Sequence, residues 1–235
     1  MSELKELKFF ATHPHTCSYL PDQEATTLFL DPSKELSTAL YSQLTDFGFR
    51  RSGQHLYRPH CRYCQACIPA RIPVTRFQRK RRFQRIWNRN KDLVVEVVNP
   101  YSEDEIYHLY EKYIFLRHQD GDMFPPSKEQ FESFLVGGWD FAQFYLFWEQ
   151  SRLIAVAVTD QLDNGLSAIY TFYDPEYSQR SLGTFAVLWQ VEACQLLGLD
   201  YVYLGYWIKS CQKMQYKGEY RPLEVFVNNK WIELQ

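Results

Sequence analysis

Phe141-Ala142-Gln143-Phe144-Tyr145-Leu146-Phe147-Trp148, then Leu153 to Leu162, then Leu166 to Tyr173 are three β-rich runs in close succession, and their reading decides the fold. Aromatic and β-branched residues crowd each run, as a half-buried pleated surface requires. Glu149-Gln150-Ser151-Arg152 separates the first two, and Asp163-Asn164-Gly165, a hairpin signal, separates the second two. A helix is expected from about Leu182 to Leu197, stopped by Gly198, followed by a strand over Tyr201 to Tyr206. Leu223 to Val227 and Trp231 to Leu234 read as a closing hairpin across Asn228-Asn229-Lys230.

Upstream of the meander, residues 102 to 118 suit a helix with Ile106, Leu109, Tyr110, Tyr113 and Ile114 on one face. Ser127 with Gln130 is a capping-box pattern for a short helix through Val136. Nearer the start, Asp31-Pro32 predicts an N-cap and first helical residue, with Leu36, Leu40, Leu44 and Phe47 following and Gly48 as the stop. Phe49 to Tyr57, Ile68 to Val74 and Asp92 to Val98 read as strands, with a basic helix carrying Phe83, Ile86 and Trp87 before the last of them. The order is an α+β layout, and it predicts an N-acetyltransferase-like (acyltransferase) fold with a smaller Cys-containing N-terminal region. Residues 1–98 are expected to form that region and 99–235 the catalytic domain.

Composition narrows the function classes. With 46% apolar and 23% charged residues over 235 positions, the chain can bury a core and is not a low-complexity sequence. The longest apolar run, Leu153 to Val158, is far too short to span a bilayer, and the N-terminal residues lack a signal-peptide layout. A cytoplasmic protein without a membrane partner is therefore expected, its six cysteines reduced. The net charge of −2 conceals an asymmetry. Arg71, Arg76, Arg79, Lys80, Arg81, Arg82, Arg85, Arg89 and Lys91 fall in one stretch without an acidic residue. Such a stretch suits a phosphate backbone, and Arg79, Lys80, Arg81, Arg82, Arg85 and Arg89 are its expected contacts.

Cys61-Arg62-Tyr63-Cys64-Gln65-Ala66-Cys67 spaces three thiols by three. With Cys17 as a fourth, the set suits zinc or an iron–sulfur cluster, and reduced, partly buried thiols are the plain alternative. Arg180-Ser181-Leu182-Gly183-Thr184-Phe185 lies where an acetyl-CoA enzyme of this fold carries its pyrophosphate loop. Phe185 replaces the small residue usual there, which counts against acetyl-CoA as donor.

Three stretches carry a resemblance. They are Tyr57-Arg58-Pro59 with the Cys61–Cys67 cluster and Pro69-x-Arg71; Tyr170-Thr171-Phe172-Tyr173-Asp174-Pro175; and the long run from Leu204-Gly205-Tyr206-Trp207 through Lys213, Lys217 and Gly218 to Arg221-Pro222. Together they resemble the arginyl-tRNA–protein transferase family, and within it the compact bacterial branch whose donor is leucyl-tRNA. The resemblance implies transfer of an aminoacyl group from tRNA to the α-amine of proteins beginning with Asp or Glu, which marks them for the N-degron degradation pathway. It also implies two partners, an aminoacyl-tRNA and an acidic-N-terminus acceptor protein. No cofactor is needed for the chemistry, because the ester is already activated. The eukaryotic relatives pair two cysteines where this chain keeps only Cys17 before Ser18-Tyr19-Leu20.

On that resemblance, Tyr206, Lys213 and Lys217 are expected at the donor end or the oxyanion, and His118 or Asp120 as the proton acceptor, the tRNA's own ribose hydroxyl being the alternative shuttle. Arg71, Arg76 and Arg221 are candidates for the acceptor's carboxylate. Tyr170, Asp174 and Trp207 complete the expected substrate-binding set. An apolar wall including Phe172 and Trp207 would suit leucine, whereas a buried acid, Asp174 or Glu219, would suit arginine. An acyl-CoA N-acetyltransferase and a non-catalytic RNA-binding module are the rival readings. Stabilisation by CoA would favour the first. For the second, changes in the long motif would leave function intact.

Overall fold

The computed structural model describes residues 6–234, which divide into two compact units. One comprises the chain up to Pro73 together with everything from Tyr203 onward, and the other runs from Val74 to Val202. The expected boundary at 98/99 therefore moves. The basic helix and the strand after it join the meander, while the C-terminal hairpin returns to the N-terminal unit.

In the first unit, β1 (Phe9–Ala11), β4 (Thr27–Leu30), β6 (His55–Pro59) and β5 (Arg50–Ser52) form an antiparallel sheet in that order, and β2 (His15–Thr16) pairs with β3 (Glu24–Ala25) beside them. The helix α1 spans Thr38–Asp46, and its cap is Ser37, whose hydroxyl accepts from the Leu40 N–H at 3.2 Å. Asp31 does not cap it. Its carboxylate is satisfied locally by the N–H and hydroxyl of Ser33, an Asx turn that leaves Pro32 outside the helix. Gly48 does end α1, at a φ of 81°, where a Cβ would stand 2.8 Å from the Pro69 ring. The predicted strand Phe49 to Tyr57 is the hairpin β5–β6, turned at Gly53. β7 (Ile68–Pro73) closes the N-terminal part of this unit.

The second unit opens with α2 (Arg81–Arg89), β8 (Val94–Val98), α3 (Asp104–Arg117) and α4 (Lys128–Phe131), α4 capped by the Ser127 hydroxyl on the Gln130 N–H as its sequence predicts. A π-helical turn over Glu132–Val136 extends α4. β9 (Ala142–Glu149), β10 (Arg152–Gln161) and β11 (Gly165–Tyr173) then form the meander, with β8 antiparallel on the outer side of β9. α5 (Leu182–Leu196) follows and leads into β12 (Tyr201–Trp207). The core of this unit is aromatic: Tyr110, Phe131, Phe144 and Phe172 are fully buried between α3, α4 and the meander. Phe172 meets Tyr110 and Phe131 edge-on, the arrangement that ring quadrupoles favour.

Back in the first unit, β13 (Glu224–Val227) pairs with β7 and with β14 (Lys230–Glu233). The β13–β14 turn places Asn228 and Asn229 both at positive φ, as a two-residue hairpin turn demands. Among the described residues no helix is long and apolar enough to cross a membrane.

Candidate functional site

In the first unit the long motif begins inside β12 and folds back on it. The Tyr206 side chain is buried, and its hydroxyl donates to the Gly48 carbonyl at 3.0 Å with the Tyr57 carbonyl at 3.2 Å. Burial raises its pKa well above the ordinary phenol value, so it holds its proton. Gly205, at a φ of 72°, supports the guanidinium of Arg50: a Cβ there would collide with an Arg50 nitrogen. Gly218 plays the same part for Trp207, whose indole nitrogen would be 2.9 Å from a Cβ and donates to the Gln215 carbonyl at 3.2 Å.

Lys217 is buried in this loop. Its Nζ donates to the Tyr206 carbonyl at 2.8 Å, and the Met214 sulfur lies at 3.8 Å. Burial lowers its pKa well below the ordinary value, and the charge of Arg50 lowers it further. The bond to the Tyr206 carbonyl ties the motif to β12, and burial disfavours the charged form of Lys217, while Lys213, four residues earlier, is exposed. Arg221 is half-buried and turned onto its own loop, donating to the carbonyls of Gly218 and Tyr220.

Arg71 is spent on the fold. It lies on β7, almost wholly buried, donating to Glu224 at 2.9 Å and Asp46 at 3.2 Å, with the Trp231 ring 4.2 Å from its guanidinium carbon. A cation held by two carboxylates and a ring face is largely engaged within the fold, which weighs against its expected role on an acceptor's carboxylate. Arg76, the third candidate, is exposed in the second unit.

Cys17, Cys61, Cys64 and Cys67 are free, half-buried thiols. The other three of these act electrostatically on Cys67, whose pKa is pushed up to about 12, by burial first and by them second. Among the described residues, however, no group of three His, Cys, Asp or Glu side chains is arranged to hold a metal ion. No step below passes through a metal or a cluster.

The second unit carries the basic helix. Arg76, Lys80, Arg81, Arg82, Arg85 and Arg89 are exposed, whereas Arg79 pairs with Glu192 at 2.8 Å and lies over the Trp87 ring at 4.1 Å. Trp87 in turn stacks on Trp189 and packs against Phe185. Phe185 also meets Phe147 edge-on and is buried. Its bulk therefore enters the core of α5 instead of crowding the helix start, and the inference against acetyl-CoA drawn from its size fails. Asn90 donates to the Arg180 carbonyl at 2.9 Å, Arg89 to that of Gln179 and Arg180 to that of Arg89, so the end of α2 and the entry to α5 are one fastened piece.

His118 caps the C-terminus of α3 with its ring 5.0 Å from that of Tyr113, and Asp120 is exposed two residues further on. Asp174 is buried and accepts from Lys112 at 2.8 Å, Arg152 at 2.7 Å and the Glu176 N–H at 3.0 Å. Burial alone would raise its pKa; the hydrogen bond from Lys112, then those from Glu176 and Arg152, reverse this and hold the carboxyl below its ordinary value. Two cations and a backbone N–H already engage both its oxygens, which weighs against its binding a donor's guanidinium. The Tyr170 hydroxyl is different: it is shielded from water and has no hydrogen-bond partner among the described residues.

The five expected catalytic residues thus fall into two groups: Tyr206, Lys213 and Lys217 in the first unit, His118 and Asp120 in the second. Sequence reasoning missed Arg50, which borders Tyr206 and Lys217. Only its place one residue after the Phe49 that follows the Gly48 stop, opposite Tyr57 in the hairpin register, signals it.

Residues 15–85 match the model of the arginine-tRNA-protein transferase N terminus, and residues 105–227 that of the C terminus. Curated relatives named "Aspartate/glutamate leucyltransferase" from Pseudomonas fluorescens strain Pf-5 and Stutzerimonas stutzeri strain A1501 are each 58% identical to this chain over 234 residues, covering both sequences fully. A solved structure, the C-terminal domain of a putative lysylphosphatidylglycerol synthetase from Agrobacterium fabrum, aligns with 83% of this chain and 63% of its own at 13% identity, with a TM-score of 0.49.

Proposed function

The chain belongs to the arginine-tRNA-protein transferase family, and we propose that it transfers leucine from leucyl-tRNA to the α-amine of proteins beginning with Asp or Glu. The full-length likeness to relatives named as aspartate/glutamate leucyltransferases carries this reading. The order of β9, β10, β11, α5 and β12 supports an acyltransferase-like fold for the catalytic part.

The reaction is aminolysis of an ester. The acceptor's neutral amine attacks the leucyl carbonyl, a C–N bond forms, and the C–O bond to the terminal ribose breaks. The amine's proton passes to the departing ribose oxygen, directly or through a side chain. Since the ester is activated, the protein has chiefly to position the reactants and steady the oxyanion. The exposed cations of α2 suit the tRNA backbone, with Arg79 withdrawn from that set by Glu192. Arg50, fixed against Gly205, replaces Arg71 as the cation suited to the acceptor's carboxylate. His118 remains the proton acceptor of choice, as its ring is half-exposed at the end of a rigid helix. Saturation of Asp174 favours leucine over arginine as donor, because it removes the buried one of the two acids that a guanidinium would need.

The test is competition between leucyl-tRNA and arginyl-tRNA for one peptide beginning with Asp. Leucine alone on the peptide is expected. Arginine alone would move the chain to the arginyl reading. Transfer of neither, with tRNA still bound, would leave an RNA-binding module.

A further inference from the structure

Three departures from regular structure converge on Tyr170 in the second unit. The first is its hydroxyl, buried with no partner among the described residues, where almost every buried polar group in a folded protein has one. The second is a β-bulge: Val158 faces Tyr170 across the β10–β11 ladder, yet Thr159 faces Ala168, so Ile169 is an extra residue. Ile169, Tyr170 and Phe172 consequently all pack into one cluster, which strict alternation would forbid. Bulges are a common means of re-aiming a side chain beside a site. The third is the π-helical turn Glu132–Val136, which carries the half-buried Phe134 to 5.6 Å from the Tyr170 ring.

The surroundings define the ligand's chemistry. The rings of Tyr113 and Phe134 flank Tyr170 edge-on, and Tyr173 and His118 lie against Tyr113. The groups that act electrostatically on the Tyr170 phenol are two other phenols, Tyr113 and Tyr110, with no carboxylate and no cation. Burial keeps the phenol protonated, so it can both donate and accept. Such a site takes a small apolar group with one polar atom. It offers nothing to a guanidinium, which needs a carboxylate, and Asp174 in the same unit is already saturated.

We propose that the Tyr170 hydroxyl binds the α-amino group of the donor's aminoacyl ester, with the apolar side chain against the rings of Tyr113 and Phe134, so that this uncharged aromatic site selects the donor amino acid. The inference rests on the leucyl transfer proposed above and names the residue that recognises its donor.

The experiment pairs Tyr170→Phe with a donor that lacks the amine, tRNA charged with 4-methylpentanoic acid in place of leucine. The wild-type chain should transfer leucine about tenfold to a hundredfold more efficiently than the des-amino acyl group, since a site built to bond an N–H rejects the analogue without it. Tyr170→Phe should lose that factor on leucine and lose nothing on the analogue, leaving the two donors equal. Its melting midpoint should be unchanged, as no hydrogen bond within the protein is lost. Equal losses on both donors, or no loss on either, would overturn the inference. So would a lowered midpoint, which would mark the hydroxyl as bonded through a trapped water. Those outcomes leave leucyl transfer standing; a wild-type chain that transfers neither donor overturns both.

Discussion

Each unit buries an ionisable side chain near its expected site, and the two solve the same problem in opposite ways. Asp174 is surrounded by Lys112, Arg152 and a backbone N–H and stays charged. Lys217 has one carbonyl, one thioether and a neighbouring guanidinium, and its charged form is disfavoured. Burial acts against charge in both. Partners decide the outcome: a carboxylate with three donors keeps its ion, whereas beside Lys217 the Arg50 charge adds to the effect of burial. Asp174 is thereby a structural joint, while Lys217 is a donor to the Tyr206 carbonyl whose protonation is opposed by burial and by Arg50.

The largest effect should come from the apolar core around β11, the strand that Asp174 directly follows. Phe172→Ala should cost about 3–5 kcal/mol, read as a shift of the denaturation midpoint, since its ring is fully enclosed by Tyr110 and Phe131. Next is Asp174→Asn. It should cost about 2 kcal/mol, less than the 3–5 of a fully buried pair because Lys112 and Arg152 keep access to water. The folded Asp174 carboxyl has a lowered pKa, so its stabilisation is present above the unfolded carboxylate value and is lost as pH falls through the folded one. The wild-type chain should therefore show an acid limb in its stability profile that Asp174→Asn flattens. If both variants unfold at the wild-type midpoint, the joint does not exist.

A smaller effect is expected on the exposed face of α2. Arg81→Glu with Arg85→Glu should weaken tRNA binding about tenfold at physiological salt and reduce the salt slope by about 2, with fold stability unchanged. A slope that does not move would place the RNA elsewhere. The smallest effect concerns Lys217. With its folded pKa lowered, the unfolded chain binds a proton that the folded chain does not, so stability rises with pH until the ordinary lysine value is passed. Lys217→Met should remove that rise while changing stability near pH 7 by no more than about 1 kcal/mol. A persistent rise in the variant would show that Lys217 is charged in the fold, and the contrast with Asp174 would collapse.

The meander and its following helix were legible in the sequence because their signals are local: dense β-formers, a hairpin dipeptide, a stop glycine. The Ser127 cap was legible for the same reason. What could not be read is long-range. The partners of Arg71 lie 25 and 153 residues away, and that of Arg79 lies 113 away, so a stretch with no acid inside it is still partly neutralised. Strands of two to four residues such as β1 to β4 are too short for periodicity to register, and Asp31 accordingly passed for a helix cap. The unit boundary was misplaced because β13 pairs with β7 across most of the chain. At the site, residue types were legible but not their loading: nothing in the sequence distinguishes the saturated Asp174 from the unpartnered Tyr170 four residues before it.

The most direct measurement is transfer of labelled leucine from leucyl-tRNA to four peptides that differ only in an N-terminal Asp, Glu, Lys or Ala. The account predicts label on the Asp and Glu peptides alone. Label on all four, or on none while charged tRNA remains intact, would contradict it.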